Sequence, residues 1–525
     1  MDLSHFLAVT AVLLACCQSG YSANIFAIFP TPSVSHQYSC LGFLEGLVAK
    51  GHNVTVITTN PKLIDKKPPN YHVIDGSINY QVWENYMRDY QIDIQKERSP
   101  FEIMAHFEYV FAEFIDTFFS LDEVQKIIKS PDTKFDLIIY EAFYPAAASA
   151  SKHFGNIPTV VMSTIPNYLQ VESTMGNPIL LSYMPSFIVN ASDHMTLTER
   201  ITNIAYYYFT VYIQHVYNYP LQDAVARKYF GDDLKYVSEY ERNNSLYLLS
   251  GDLSQSYPVP RHPNTIEVGV CHIKPRKPLP EDLKQWMDGA KDGVIYFSLG
   301  SNMKGTSLRE DLREIFIEVF AKFPNYRIIW KWEDDTPFPR KPKNVLLRKW
   351  NPQQDILAHP KTKLFISQTG HQSRQEATFY GVPMLCIPLF WDQDYNAKKL
   401  VIEGAGLSIP IKELKPDILF EKLQRMLTDN SFKKNMLRLS SLTKDHVMNC
   451  PDKVAWWIEY VLRHNGARHL RPASLDLTWY QLYNLDIAAI TFSVLTIILF
   501  IFYSILKCLG RLCCSSRKDK KIKKR

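Results

Sequence analysis

The chain has 525 residues, 46% of them apolar and 21% charged, a balance that suits several globular units and excludes a disordered, collagen-like or many-pass membrane protein. Its net charge of +6 is concentrated at one end: residues 507–525 hold nine Lys and Arg against the single Asp519, which leaves the rest at −2. A body with that charge is no nucleic-acid binder.

Residues 3–17 (LSHFLAVTAVLLACC) form a short apolar run followed by Gly20 and Ser22 in small-residue cleavage positions, so residues 1–22 read as a secretory signal peptide cut before Ala23. Short apolar runs then alternate with helical stretches in two halves, the pattern of doubly wound α/β sheets. In the first half, residues 23–273, strands are expected at 24–29, 54–58, 136–140 and 158–162, with a helix over 38–50. Two aromatic segments, 101–119 and 204–219, are spaced to fill a core, to line an apolar pocket or to meet a membrane face. Residues 274–283, opening KPRKPLP, have the charge and proline content of a linker. In the second half, residues 284–450, strands are expected at 294–298, 327–332, 345–347, 364–367 and 384–387, with helices over 307–323 and 371–380.

Residues 451–486 contain a helical pattern at 451–464 and approach a membrane segment. Residues 487–506 are 20 residues without formal charge. At 1.5 Å per residue they cross the ~30 Å of hydrocarbon in a bilayer. Trp479, Tyr480 and Tyr483 precede them as interfacial aromatics, and the basic tail follows, so the positive-inside rule leaves the tail cytosolic and the body lumenal. This is the topology of a type I single-pass protein. Lys521 and Lys523 resemble a dibasic endoplasmic-reticulum retrieval signal.

With Cys16 and Cys17 in the leader and Cys508, Cys513 and Cys514 at the membrane, only Cys40, Cys271, Cys386 and Cys450 face the lumen. Four thiols allow three full pairings, which the sequence leaves open. No metal-ligand spacing occurs, so no metal site is expected. Of three Asn-x-Ser/Thr sequons, Asn190 and Asn243 are the expected glycan acceptors, whereas Asn53 falls in a strand pattern and is expected to be inaccessible.

The most specific stretch runs Lys349-Trp350-Asn351-Pro352-Gln353, then Phe365-Ile366-Ser367-Gln368-Thr369-Gly370-His371-Gln372-Ser373-Arg374-Gln375-Glu376, and on through Gly381-Val382-Pro383 to Trp391-Asp392-Gln393. Here a strand ends at Ser367, a loop turns at Gly370 and a helix follows, so backbone N–H groups and the positive helix end suit a diphosphate. Ser373 adds a hydroxyl, Glu376 a carboxylate able to accept from a ribose diol, and Trp350 a flat face for a base.

These residues, with Phe297-Ser298-Leu299-Gly300-Ser301 and Val268-Gly269, resemble the membrane-bound animal UDP-glycosyltransferase family across most of the chain. The resemblance implies the GT-B fold: two Rossmann-like domains face a cleft, the first taking the acceptor and the second the UDP-sugar. It also implies that Trp350 stacks on uracil and Gln353 meets base or ribose. Ser301, Gln368, Gly370 and Ser373 would border the diphosphate, Glu376 would hold the ribose, and Asp392 and Gln393 the sugar hydroxyls. His36, in Pro30-Thr31-Pro32-Ser33-Val34-Ser35-His36, matches the family's general base, and Glu141 stands where its orienting Asp is usual. A neutral imidazole near its ordinary pKa of ~6.5 suits proton abstraction from an acceptor hydroxyl, followed by inverting displacement of UDP.

The chain departs from the family at Gln368-Thr369-Gly370, where His-Gly-Gly is usual, and at Gln372, where Asn is common. Glucuronate-using members carry an Arg near the position of Val259, and Arg261 is a nearby substitute. UDP-glucose is therefore the favoured donor and UDP-glucuronate the runner-up. The expected partners are a UDP-sugar, a small lipophilic acceptor and a membrane, with no further cofactor; association into a homo-oligomer is left open. The rival reading is a catalytically silent, membrane-anchored binder of apolar ligands or UDP-sugars. A dinucleotide dehydrogenase is disfavoured because no G-x-G-x-x-G opens either half.

Overall fold

The computed structural model describes residues 22–89, 100–303, 305–334 and 340–522; the leader with Cys16 and Cys17, Lys523, and the side chains of Cys513, Cys514 and Lys521 lie outside the described residues. The chain divides into two compact units, Met1–Arg471 and Pro472–Arg525.

The first unit holds two parallel sheets. The first comprises β1 (Asn24–Phe29), β2 (Asn53–Thr58), β3 (Tyr71–Asp75), β4 (Leu137–Glu141), β5 (Thr159–Ser163), β6 (Leu246–Ser250) and β7 (Thr265–Gly269), in the order β3-β2-β1-β4-β5-β6-β7. The second comprises β8 (Gly293–Ser298), β9 (Tyr326–Lys331), β10 (Val345–Arg348), β11 (Thr362–Ser367), β12 (Met384–Cys386) and β13 (Gly406–Ser408), in the order β10-β9-β8-β11-β12-β13. Central strands such as LIIYE and TVVMS are apolar at nearly every position because helices cover both faces. Along β1, Phe26 and Ile28 join one core cluster while Ile25, Ala27 and Phe29 join the other, the period-two signature of a strand. On β8, Ile295 and Phe297 likewise oppose Val294 and Tyr296.

Each sheet reverses its winding beside its first strand, between β1 and β4 and between β8 and β11. Such a reversal opens a crevice at the carboxyl ends of the strands. The helices that shape this region are α1 (Val34–Ala49), α2 (Asn79–Asp89), α3 (Pro100–Ser120), α4 (Leu197–Ile213), α5 (Glu310–Ala321), α6 (Gln353–Leu357), α7 (His371–Tyr380), α8 (Gln393–Ile402), α9 (Cys450–Arg463) and α10 (Leu485–Ile522).

Strands β3, β6, β7 and β13 were not among those expected. β3, β7 and β13 carry polar residues or glycine within the run, so no continuous apolar stretch marks them. Helix α1 begins at Val34 rather than at 38, so His36 sits in a first helical turn. The polar residues Ser35, His36 and Gln37 hide that start.

Helix α9 folds back onto the first half: Val454, Ala455, Ile458 and Val461 pack in one cluster with Leu44 and Leu47 of α1. The helices meet at Gly46, where a Cβ would collide with the Pro451 carbonyl. A Cys271–Cys450 disulfide pins the start of α9, with the two Cα atoms 5.0 Å apart, while Cys40 and Cys386 are buried free thiols. Asn190 and Asn243 are exposed. So is Asn53, contrary to expectation, because it is the first residue of β2 and stands clear of the sheet's covered part. In the second unit, Leu485–Arg511 of α10 is long and apolar enough to cross a membrane.

Candidate active site

The two reversals face each other across a cavity of about 930 Å³. From the first half, the segment after β1 supplies Thr31, Ser33 and His36, while α2 and α3 supply Trp83, Phe107, Phe111 and Phe114. From the second half come Ser301 and Asn302 after β8, Gln368, Gly370 and Gln372 after β11, and Trp391, Asp392 and Gln393 at the start of α8.

His36 is held from behind. Glu141, the last residue of β4 and fully buried, meets its Nδ1 through Oε1 at 2.6 Å, and the His36 side chain keeps 15% of its surface exposed. Thr31 Oγ1 donates to Glu141 Oε2 at 2.5 Å, and Thr164 Oγ1 lies 2.7 Å from His36 Nδ1 and donates to Glu141 Oε1 at 3.2 Å. A carboxylate on Nδ1 fixes the tautomer that leaves Nε2 unprotonated, which is the form that accepts a proton. Glu141 is thus no solvent-exposed loop acid; its extra methylene relative to Asp is taken up within the strand end.

The second half contributes amides. Gly370 precedes α7 in an extended conformation, with no side chain capping the first-turn N–H groups. The residue that turns the loop is Thr369, at φ +67°, and not Gly370, at φ −60°. A β-branched residue in the left-handed region is strained. It is buried, its N–H donates to Ser367 Oγ at 3.1 Å, and its carbonyl accepts from Asn396 Nδ2 at 3.0 Å. Facing it, Gly300 at φ +83° admits the Gln368 amide where a Cβ would collide, and Gln368 Oε1 is buried without a partner among the described residues.

Gln353, Ser373 and Glu376 form one connected group on the flank of α7. Gln353 Nε2 donates to Ser373 Oγ at 3.1 Å and to Glu376 Oε2 at 2.7 Å, and Gln354 Nε2 donates to Oε1 at 3.0 Å. Burial pushes the Glu376 carboxyl up to about 7, against the lowering effect of those two donors. Trp350 is not on the cavity wall; its ring is 53% exposed, with Lys331 Nζ 5.3 Å from its centroid. Asp392 accepts from Asn396 Nδ2 at 2.6 Å, and burial raises its pKa. Gln393 Oε1 accepts from the Leu389 and Phe390 N–H groups at 2.8 and 3.2 Å, which turns its own NH2 into the spare donor. A carboxylate beside an amide donor matches the mixed hydrogen-bonding of a polyol. Asp392 occupies the N-cap position of α8 without making a capping bond.

Arg261 does not reach the cavity. Its Nε lies 2.9 Å from Glu172 Oε1 and its Nη1 2.5 Å from Glu267 Oε1, so two carboxylates already neutralise it. Among the described residues that line the cavity, the arginine is Arg309, whose guanidinium pairs with Asp311.

Three residues escaped the sequence reading. Thr164 follows β5 without any motif. Gln372, noted only as a substitution, donates across the cleft to the Thr164 carbonyl at 3.0 Å. Trp391, at φ +58°, reaches from the second half to Phe107, edge-on at 4.7 Å, and stacks on Phe187 at 6.0 Å.

Residues 27–523 match the family model described as UDP-glucoronosyl and UDP-glucosyl transferase. The chain belongs to this family. It is 34% identical over 524 residues to UDP-glucosyltransferase 2 of Dactylopius coccus, covering 99% of this chain and 98% of that one. It is 30% identical over 521 residues to human UDP-glucuronosyltransferase 1A3, covering 96% of each. Among solved structures, the glycotransferase of kitacinnamycin aligns with a TM-score of 0.57 at 17% identity, over 84% of this chain and 99% of that one. Glycosyltransferase VinC in complex with DTDP aligns at 0.53 and 15%, over 84% and 100%. These likenesses carry the GT-B fold. The transferase is thus a UDP-glycosyltransferase using a glucosyl or glucuronosyl donor.

Proposed function

We propose that the enzyme transfers a hexose, glucose foremost, from its UDP-sugar to small lipophilic acceptors by single inverting displacement, with His36 as general base. The observation that carries this reading is the His36–Glu141 pair at 2.6 Å, buried on the carboxylate side and open to the cavity on the other. His36 Nε2 takes the acceptor hydroxyl proton as that oxygen attacks the anomeric carbon; the glycosidic bond to UDP breaks on the opposite face, and UDP leaves with the bonding pair. Glu141 stabilises the imidazolium formed, and the uncapped N–H groups at the start of α7 meet the charge developing on the diphosphate.

In this reading residues 23–273 bind the acceptor and residues 284–450 the donor. Trp350 carries the uracil, and Gln353 exchanges its bond to Glu376 for the base or ribose. Ser301, Gln368, Gly370 and Ser373 border the diphosphate, and Asp392 and Gln393 bind the sugar. The apolar wall of Trp83, Phe107, Phe111 and Phe114 supports a lipophilic acceptor. Engagement of Arg261 by two carboxylates favours glucose; Arg309 on the wall is the observation that favours glucuronate. The apolar C-terminal helix and the basic tail support a type I protein of the endoplasmic-reticulum membrane, glycosylated at Asn190 and Asn243.

The test is transfer of labelled sugar from UDP-glucose and from UDP-glucuronate to a panel of phenols, comparing wild type with His36→Ala. Product from UDP-glucose with wild type alone is expected. No transfer from either donor despite measurable UDP binding would turn the reading to a silent binder.

A further inference from the structure

Gln354 commits its whole side-chain amide to two other parts of the chain. Its Oε1 accepts from the Lys274 N–H at 2.9 Å, and its Nε2 donates to the His272 carbonyl and to Glu376 Oε1, both at 3.0 Å. An amide NH2 has two donors, so none is left over. Beside it, Asp355 Oδ1 accepts from the Lys277 N–H at 2.8 Å, and the start of α6 thus grips the segment between β7 and β8 at three backbone points. That segment is fixed from the other side as well. Cys271 is bridged to Cys450, and α1 comes so close to the Cys271 carbonyl that a Cβ at Gly42 would collide with it.

We propose that Gln354 is a positioning residue for the nucleotide's ribose: braced on the backbone of His272 and Lys274, it holds Glu376 Oε1 and leaves Oε2 to the diol. Its role rests on the reading of Glu376 as the ribose holder and names what orients that carboxylate. Each carboxylate oxygen has an amide donor, Gln353 on Oε2 at 2.7 Å and Gln354 on Oε1. Gln353 gives up that bond when it turns to the nucleotide, so the amide that stays is Gln354. A hydrogen bond to an ionised oxygen is roughly twice as strong as one between neutral groups, which suits an anchor. Another nitrogen near that oxygen, Nε2 of the fully buried His272, lies 3.6 Å away, outside hydrogen-bond reach. Burial holds that imidazole down to about 4, so it brings no charge to Glu376 at neutral pH.

The test is calorimetric binding of UDP and of 2′-deoxy-UDP to the full-length chain in detergent micelles. It compares wild type with Gln354→Met, Gln354→Lys and Glu376→Gln, a single cooperative thermal transition reporting the fold of each. Wild type is expected to bind UDP about tenfold more tightly than the deoxy analogue, the scale of one hydrogen bond to a charged group. That ratio is expected to vanish in Gln354→Met, which has no donor, and to survive in Gln354→Lys, which keeps donors for Glu376 and gives up the acceptor for the Lys274 N–H. An equal loss of affinity for both ligands in Gln354→Met, with the ratio kept, is what a merely structural role gives, and it overturns the proposal. A ratio lost in both Gln354 variants overturns it too, because the Lys274 bond and not the donor to Glu376 would then matter. Glu376→Gln separates the two readings. If it abolishes the ratio while Gln354→Met keeps it, Glu376 holds the ribose without Gln354; if it keeps the ratio, or if wild type shows none, the ribose reading itself fails and the role of Gln354 with it.

Discussion

His36 holds a buried carboxylate through Nδ1 and lines the cavity, and in its proposed role as general base that placement sets what its replacement costs. His36→Ala is expected to lower kcat by about 10²–10⁴-fold, the range of a lost general base, with UDP-glucose affinity little changed in a binding titration. Glu376 gives a pH signature. In the proposed ribose-holding role its carboxyl, raised to about 7 by burial, must be ionised to accept from the diol. UDP-glucose affinity should therefore weaken by up to about tenfold per unit below pH 7 and level off above it, and Glu376→Gln should flatten the profile in calorimetry. For the empty protein the same raised value means that this group's contribution to stability is full below the ordinary carboxyl value of 4.5 and is lost as pH rises from there through about 7. Trp391 joins the start of α8 to the aromatic side chains Phe107 and Phe187 of the first half. Its left-handed backbone costs on the order of 1–3 kcal/mol, and its contacts with Phe107 and Phe187 hold it there. Trp391→Gly is expected to raise the KM for small phenols roughly tenfold, with the UDP-glucose KM moving far less, in steady-state assays that vary each substrate. Of these residues, His36, Glu141 and Glu376 were candidates from their motif context. Trp391 was only part of the motif's spelling, because what it touches comes from residues some 200 to 280 positions earlier in the chain.

At the scale of elements, most of the buried strands and α7 were legible, since their apolar runs and helical spacing repeat along the chain itself. Strands β3, β6, β7 and β13 were not, and neither was the start of α1. The α1–α9 crossing at Gly46 carries a prediction of its own. Gly46→Ala drives a methyl into the Pro451 carbonyl, and overpacking of this kind costs about 1–3 kcal/mol, read as an earlier midpoint in urea unfolding. The same change leaves the cavity-lining residues untouched. Helix α4 carries the opposite lesson: its aromatic spacing fits a core equally well, and only the packing shows that Asn203, Thr210 and Ile213 are its buried side.

Across the whole molecule, buried polar contacts join the two halves beside the ring contacts of Trp391. Gln372 reaches the Thr164 carbonyl, His371 Nε2 lies 2.7 Å from the Ser250 carbonyl, and Arg374 Nη1 donates to the Gln255 carbonyl at 2.9 Å. Burial and the neighbouring Arg374 hold His371 down to about 3, so it stays neutral and structural across the working pH range. The Cys271–Cys450 bridge closes a separation of 179 residues and returns α9 to the first half after the chain has built the second. Cys271→Ser is expected to cost about 2–5 kcal/mol, seen as a lower melting temperature in oxidising buffer and no further loss on adding reductant.

The sequence alone determined the α/β alternation, the nucleotide-sugar motif from Trp350 to Gln393 and the apolar C-terminal segment, because each is written in neighbouring residues as a period, a spacing or a run. Only the tertiary structure decided that Glu141 is buried against His36, that Arg261 is spent on Glu172 and Glu267, that Trp391 crosses to Phe107 and Phe187, and that Tyr208 and Tyr212 of α4 are exposed. These are properties of pairs: His36 and Glu141 lie 105 positions apart and become neighbours because the sheet order sets β1 beside β4. Strand order is settled by how buried faces pack, and no local window of residues contains it.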